Sequence, residues 1–227
     1  MFESLINLFF PKSCVGCHSL LLKDELVICI ACRHEIPQTN HHKTINNETM
    51  QKFYGRIPLE FAASLLYFHK KGIVQEMIHK LKYKGHEEIG QTLGNWYAED
   101  LKNIDKIQSV DMIIPVPLHP KKLRERGYNQ VTKFGQSLAN QLHVPMNNSV
   151  LVRTVYSKTQ TRKNLLGRTD VIENIFDVVF SQVHHNKHFL LIDDVITTGS
   201  TLEACSRALL KIPGAKISIV SMAMTHN

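Results

Sequence analysis

The chain has 227 residues, 43% hydrophobic and 21% charged, enough for one sizeable core with a small accessory segment; this composition excludes a disordered or fibrous chain. No apolar run approaches the roughly 18 residues of a membrane span, and Met1 to Phe10 lacks the basic start and small-residue cleavage site of a secretory signal, so the chain reads as cytoplasmic. The net charge of +7 is concentrated: residues 111–170 carry ten basic and three acidic side chains while the rest is balanced, which suits a polyanionic ligand.

The first chemistry-bearing pattern is a double Cys-x2-Cys: Cys14 and Cys17, then Cys29 and Cys32 after eleven intervening residues. Each pair points two thiolates at a common centre, and two pairs supply the tetrahedral four-sulfur shell of a structural zinc; disulfides and redox thiols are disfavoured by the paired spacing and a reducing compartment, and an iron–sulfur cluster is the residual option. The segment from Pro11 to Pro37 is too short and too poor in large apolar side chains to bury a core of its own, so metal would supply the folding energy of this N-terminal module, residues 1–37. His18 and His34 flank the pairs and are expected to be solvated. Residues 38–58 are polar with little periodicity and read as a linker, with His41 and His42 solvated in it.

From residue 59 to 227 the pattern is that of an alternating α/β domain without internal repeat. The spacing predicts a strand over 59–68, a helix over 73–83 and a second helix over 87–101 with Trp96 in the core. A short apolar run at 110–117 reads as a strand and 129–142 as a helix. Strands follow at 150–155, 175–180, 188–194 and 216–224, with a helix over 201–212 closed by Pro213-Gly214. Parallel strands with helical crossovers bind ligands beyond their carboxyl ends, so motifs at strand ends carry most weight.

One such motif is Leu190-Leu191-Ile192-Asp193-Asp194-Val195-Ile196-Thr197-Thr198-Gly199-Ser200-Thr201. Backbone N–H groups of Thr197 to Thr201, at the start of a helix, can cradle a phosphate with the helix dipole behind them, and the hydroxyls of Thr197, Thr198, Ser200 and Thr201 add donors. Gly199 lets the backbone close without a Cβ in the way. Carboxylates of Asp193 and Asp194 then lie a sugar's width away, placed to accept from ribose hydroxyls directly or through Mg²⁺. The implied ligand is a ribose 5-phosphate. Cys205, on the apolar face of the same helix, reads as a core thiol.

Those twelve residues resemble the signature by which type I phosphoribosyltransferases bind 5-phosphoribosyl 1-pyrophosphate (PRPP). The resemblance implies that Asp193 and Asp194 hold the ribose and that Thr197, Thr198, Gly199, Ser200 and Thr201 hold the 5-phosphate. It places the pyrophosphate loop at Ile113 to Lys122, with Pro117, Leu118, Lys121 and Lys122 facing the diphosphate. More of the chain is similar to the ComF family of competence-associated proteins, which join a zinc module to a phosphoribosyltransferase-like domain. The double Cys-x2-Cys after Phe-Pro, the run Arg124-Glu125-Arg126-Gly127-Tyr128-Asn129-Gln130, and the stretch from Arg153 through Gln160 to Arg168, Asn174 and Phe176 carry that likeness. The stretch from Arg153 to Arg168 also resembles the basic loop that closes over pyrophosphate in amidophosphoribosyltransferases. The resemblance thus implies an α/β, type I phosphoribosyltransferase-like core with a mainly parallel sheet, a small N-terminal zinc-binding module, Mg²⁺ bound with PRPP, and roles for Arg126, Arg153, Gln160 and Arg168 around the ligand.

If the site turns over, basic side chains would stabilise departing pyrophosphate while positive charge develops at the anomeric carbon. The alternative is a non-enzymatic adaptor of DNA uptake that binds single-stranded DNA or competence proteins. Only Tyr128, Phe134 and Tyr156 are aromatic within 111–170, so no stacking platform for DNA is evident, and no Walker loop is present.

Overall fold

A computed structural model describes residues 11–154 and 175–226. In chain order these form α1 (Ile30–Glu35), a 3₁₀ turn (His41–Lys43), α2 (Glu48–Gln51), β1 (Phe61–Tyr67), α3 (Ile73–Tyr83), α4 (Glu88–Leu101) and α5 (Asp105–Gln108). Then come β2 (Met112–Pro115), α6 (Pro120–Arg126), α7 (Thr132–Leu142), β3 (Leu151–Arg153), β4 (Phe176–Val178), a second 3₁₀ turn (Gln182–His184), β5 (His188–Ile196), α8 (Ser200–Leu209) and β6 (Lys216–Met224).

Four strands form one parallel sheet in the order β1-β6-β5-β2, while β3 and β4 make a separate antiparallel pair. The central strands β5, as far as Ile192, and β6, apart from Ser218 and Ser221, are apolar runs because both of their faces are covered. On one face, Ile113, Leu190, Ile192 and Val220 pack with α3, α4, α7 and the cysteine segment. On the other, Ile114, Leu191, Ile219 and Ile217 pack with α8, β3, β4 and residues 50–57. Helices α4 and α7 approach closely at Gly94, where a Cβ would stand 2.7 Å from the Phe134 carbonyl oxygen. The register pairs Pro115 of β2 with Ile192 of β5, so the chain leaving β2 emerges beside Asp193 and Asp194.

The mixed α/β architecture and mainly parallel sheet agree with the sequence reading, and α3 spans the residues expected of it. Helix α7 starts at Thr132 rather than 129 because the Asn129 side chain turns the chain first: its Nδ2 donates to the Val116 carbonyl and its Oδ1 accepts from the Val131 N–H. Strand β2 is shorter than its apolar run, since Val110 closes the helical turn of α5. Helix α6 replaces an expected loop. Pro120 opens it, the His119 side chain accepts from the Lys121 N–H, and Gly127 ends it in the left-handed conformation. Trp96 is half-buried under the Arg33 guanidinium, 4.9 Å from its ring centroid, while Tyr97 takes the core position.

The stretch read as a polar linker is packed. Asn47 Nδ2 donates to the Ala62 carbonyl at 2.8 Å, and His41, Thr49, Ser64 and Ser221 form a buried chain of side-chain hydrogen bonds down to the sheet. His41 is therefore buried rather than solvated, and burial lowers its pKa. Polar composition misled here because these side chains bond inward. The cysteine segment is likewise seated on the main body: Val15, Val27, Ile28 and Ile36 join its core, and a Cβ on Gly16 would lie 2.9 Å from Ile73 Cγ2.

Phe53 is 1% exposed and belongs to the core on the α8 face. Phe53→Ala is expected to cost about 3–5 kcal/mol in urea denaturation. A loss within about 0.5 kcal/mol, the behaviour of a surface position, would show that the segment is not part of the folded unit.

Candidate functional site

The carboxyl ends of β2, β3 and β5, with the end of α3, enclose a cleft of about 530 Å³. At its floor β5 turns from apolar to acidic. Asp194 is buried, its side chain 7% exposed, and its Oδ2 makes no well-angled hydrogen bond; its partner is Lys82 Nζ at 3.0 Å. Asp193 faces the same cleft, and its Oδ1 accepts the Asp194 N–H at 2.8 Å. Burial, reinforced by the adjacent Asp194 carboxylate, pushes the Asp193 carboxyl up to about 7, against the pull of the Asp194 N–H and Lys82. Two neighbouring carboxylates, one with a buried oxygen lacking a hydrogen bond, are hard donors that fit Mg²⁺ or ribose hydroxyls.

Beyond Ile196 the chain turns at Gly199, which is left-handed at φ 77° and precedes α8. The first N–H groups of α8 have no intrahelical acceptors, and Thr197 and Thr201 line the cleft. Thr198 and Ser200 are exposed and bond each other at 3.0 Å. The loop is braced from behind by the segment before β1. A Cβ at Gly199 would lie 2.9 Å from Phe53 Cε1, and Arg56 Nη1 donates to the Thr198 carbonyl at 2.8 Å. Arg56 Nε is fixed in turn by Glu203 at 2.8 Å on the first turn of α8, and Glu203 also accepts from Arg207. Nothing in the 190–201 motif points to Phe53 or Arg56; both lie in the stretch whose composition reads as linker.

Lys122, Arg126 and Arg153 line the same cleft, with Pro117 and Leu118 on the wall after β2. Arg126 Nη1 donates to Gln130 Oε1 at 2.6 Å, and its guanidinium lies 5.1 Å from the Tyr83 ring centroid. Arg153 stacks over Phe176 at 5.2 Å. Lys121 is exposed near Glu125 and does not line the cleft, its N–H being taken by His119. Gln160 and Arg168 lie outside the described residues. The structure thus brings together Asp193, Asp194, Thr197, Thr201, Pro117, Leu118, Lys122, Arg126 and Arg153, and adds Lys82, Tyr83 and Gln130. Lys82 escaped the sequence reading because only the apolar face of α3 carried a signal there.

The four cysteine sulfurs form a second centre. All lie within 4.8 Å of one another, and Cys17 and Cys29 Sγ are 3.7 Å apart, as in a tetrahedral shell with bonds of roughly 2.3 Å. Burial pushes the Cys14 thiol up, but N–H groups of Cys17, Cys29 and Gly16 outweigh it and leave it lowered. The Ser19 hydroxyl and N–H bring Cys17 down to about 6, while burial and the neighbouring sulfurs raise Cys32. This donor set is compatible with structural zinc. His18 and His34 are exposed, and Cys205 is a buried core thiol.

No family model matches the chain. It is 30% identical to Competence protein F of Haemophilus influenzae over 224 residues, covering 95% of this chain and 98% of that one. It is 26% identical to Competence protein ComFC of Bacillus subtilis, covering 95% and 85%, and 28% identical to DNA utilization protein YhgH of Escherichia coli O157:H7, covering 66% of each. Among solved structures, adenine phosphoribosyltransferase from Leishmania tarentolae is similar at 13% identity, covering 71% of this chain and 91% of that one with a TM-score of 0.39. Purine phosphoribosyltransferase from Pyrococcus horikoshii is similar at 18%, covering 59% and 74% with a TM-score of 0.38. These scores are too low to carry a ligand over to this chain.

A raised carboxyl pKa means that Asp193 is accommodated best when protonated: its contribution to stability is complete below about pH 4 and lost as pH rises through about 7. Asp193→Asn is therefore expected to gain stability relative to the parent between pH 5 and 8, on the order of 2 kcal/mol in urea denaturation. A stability difference independent of pH over that window would contradict the burial of this carboxyl.

Proposed function

The chain belongs to the competence protein F (ComF) family, and from that premise and the geometry of the cleft we propose that it binds a ribose 5-phosphate ligand, PRPP with Mg²⁺, in the service of DNA uptake. The observation that carries this reading is that one cleft is lined by Asp193 and Asp194, by Thr197 and Thr201 at a helix start, and by Lys122, Arg126 and Arg153. A sugar bearing two hydroxyls, a 5-phosphate and a 1-diphosphate presents the complementary pattern.

In this reading Asp193 and Asp194 accept from the ribose hydroxyls, and the first N–H groups of α8 with the Thr197 and Thr201 hydroxyls receive the 5-phosphate. Thr198, Gly199 and Ser200 shape that turn. Lys122, Arg126 and Arg153 face the diphosphate. Mg²⁺, when bound, supplies charge neutralisation to the diphosphate oxygens. If the ligand is turned over, the bond from the anomeric carbon to the diphosphate oxygen breaks with its electron pair leaving on pyrophosphate. The basic wall stabilises that charge, and an acceptor nucleophile or water then bonds to the carbon. Cys14, Cys17, Cys29 and Cys32 would hold a structural zinc, which would fix the fold of the segment that packs on α3 and α4. The basic wall also favours a second reading, an adaptor that grips single-stranded DNA through phosphate contacts and loses it as salt rises.

Titration calorimetry with PRPP on the zinc-loaded chain separates the two. Micromolar binding that needs Mg²⁺ and weakens roughly 100-fold or more in Asp193→Ala/Asp194→Ala is expected. No heat of binding from the folded parent protein would overturn the PRPP reading, and salt-sensitive DNA binding by that same protein would favour the adaptor.

A further inference from the structure

Lys82 sits in the last turn of α3, and its ammonium is 3.0 Å from Asp194 Oδ2, with side-chain exposures of 22% and 7%. The pair is deep enough for its charge to matter. It is also held from outside the cleft: the first residue of α3, Ile73, lies under Gly16 of the cysteine segment, and Lys80 Nζ is 3.2 Å from His18 Nδ1. A lysine on a helix pinned at this seam is placed by the fold, so its cation belongs to the site.

The electrostatic consequence follows from what lines the cleft. Lys82, Lys122, Arg126 and Arg153 outnumber Asp193 and Asp194. A bare divalent cation approaching the acidic pair meets an ammonium already on the more buried carboxylate and three further cations lining the same cleft. An anion meets the reverse. We infer that Lys82 is a specificity-determining residue of the cleft: as the resident counter-ion of Asp194 it keeps free divalent cations out of the acidic pair, so that a divalent ion enters only in company with an anionic ligand. The anion's identity as a sugar phosphate rests on the proposed function, whereas the exclusion of free divalent ions rests on the charges lining the cleft, of which only Lys82 contacts Asp194 among the described residues. When such a ligand binds, Lys82 is within reach of its anionic groups, and Asp194 is released to the sugar and the metal.

Removing the ammonium should turn the acidic pair into a site for free divalent ions. The probe is Mn²⁺ without any phosphate ligand, followed by the loss of its free-ion electron paramagnetic resonance signal on zinc-loaded protein. Lys82→Gln, which keeps a donor for Asp194 without the charge, is expected to bind Mn²⁺ at least ~10-fold more tightly than the parent. Lys82→Arg is expected to match the parent, and Lys82→Gln/Asp194→Asn to lose the gain. Lys82→Met serves if the Gln variant does not fold. A folded neutral variant with parental Mn²⁺ affinity, or a gain that survives Asp194→Asn, would overturn the inference. Failure of the parent to bind PRPP leaves this comparison readable, so the two proposals stand or fall separately.

Discussion

A carboxylate buried at the end of an apolar strand needs a cation beside it, and the Lys82–Asp194 pair meets that requirement here. Strand β5 runs through the core as His188-Phe189-Leu190-Leu191-Ile192 and then ends on two acids, at the point where the parallel register brings the end of β2 alongside. One partner, Lys82, comes from α3; the rest of the cleft is arranged around this pair. Where α3 lies therefore decides what charge the floor of the cleft presents. The cysteine segment contributes to that placement, because Ile73 packs so close to Gly16 that a Cβ there would stand 2.9 Å from Ile73 Cγ2.

The turn that follows the acidic pair rests on a second dependency. The turn at Gly199 needs both a left-handed backbone and an absent Cβ, and it is backed by Phe53 and by Arg56 reaching the Thr198 carbonyl. Residues 41–57 are thus a structural part of the helix start they brace. Their polar side chains descend to the sheet through His41, Thr49, Ser64 and Ser221, all buried. A network of this kind is stabilising only when its members are satisfied together, which ties the ordering of this stretch to that of β1 and β6.

Much of this was legible in the sequence where a pattern has one physical cause. Buried parallel strands write themselves as apolar runs, and Ile73, Met77, Ile78 and Leu81 mark one face of α3 because only that face meets the core. The acidic pair with its hydroxyl-rich turn, and the paired cysteines, were legible because their spacing is fixed by the group they surround. Tertiary partnership left no such trace. Lys82 looks like any solvated lysine on a helix, Phe53 is a lone aromatic in a polar stretch, and His41 and Asn47 are buried by bonds to residues far along the chain. Helix α6 was missed although His119, Pro120 and Gly127 carry its start and stop signals, because no apolar periodicity accompanied them.

The central claim is one of place: a ribose phosphate lies between the acidic end of β5 and the start of α8. Backbone amide chemical shifts of the zinc-loaded chain, followed by nuclear magnetic resonance as ribose 5-phosphate is added, test it most directly. The account predicts that the largest shifts fall on Thr197 to Thr201, with Asp193 and Asp194 next. Shifts centred elsewhere on the chain, or none at saturating ligand, would contradict it.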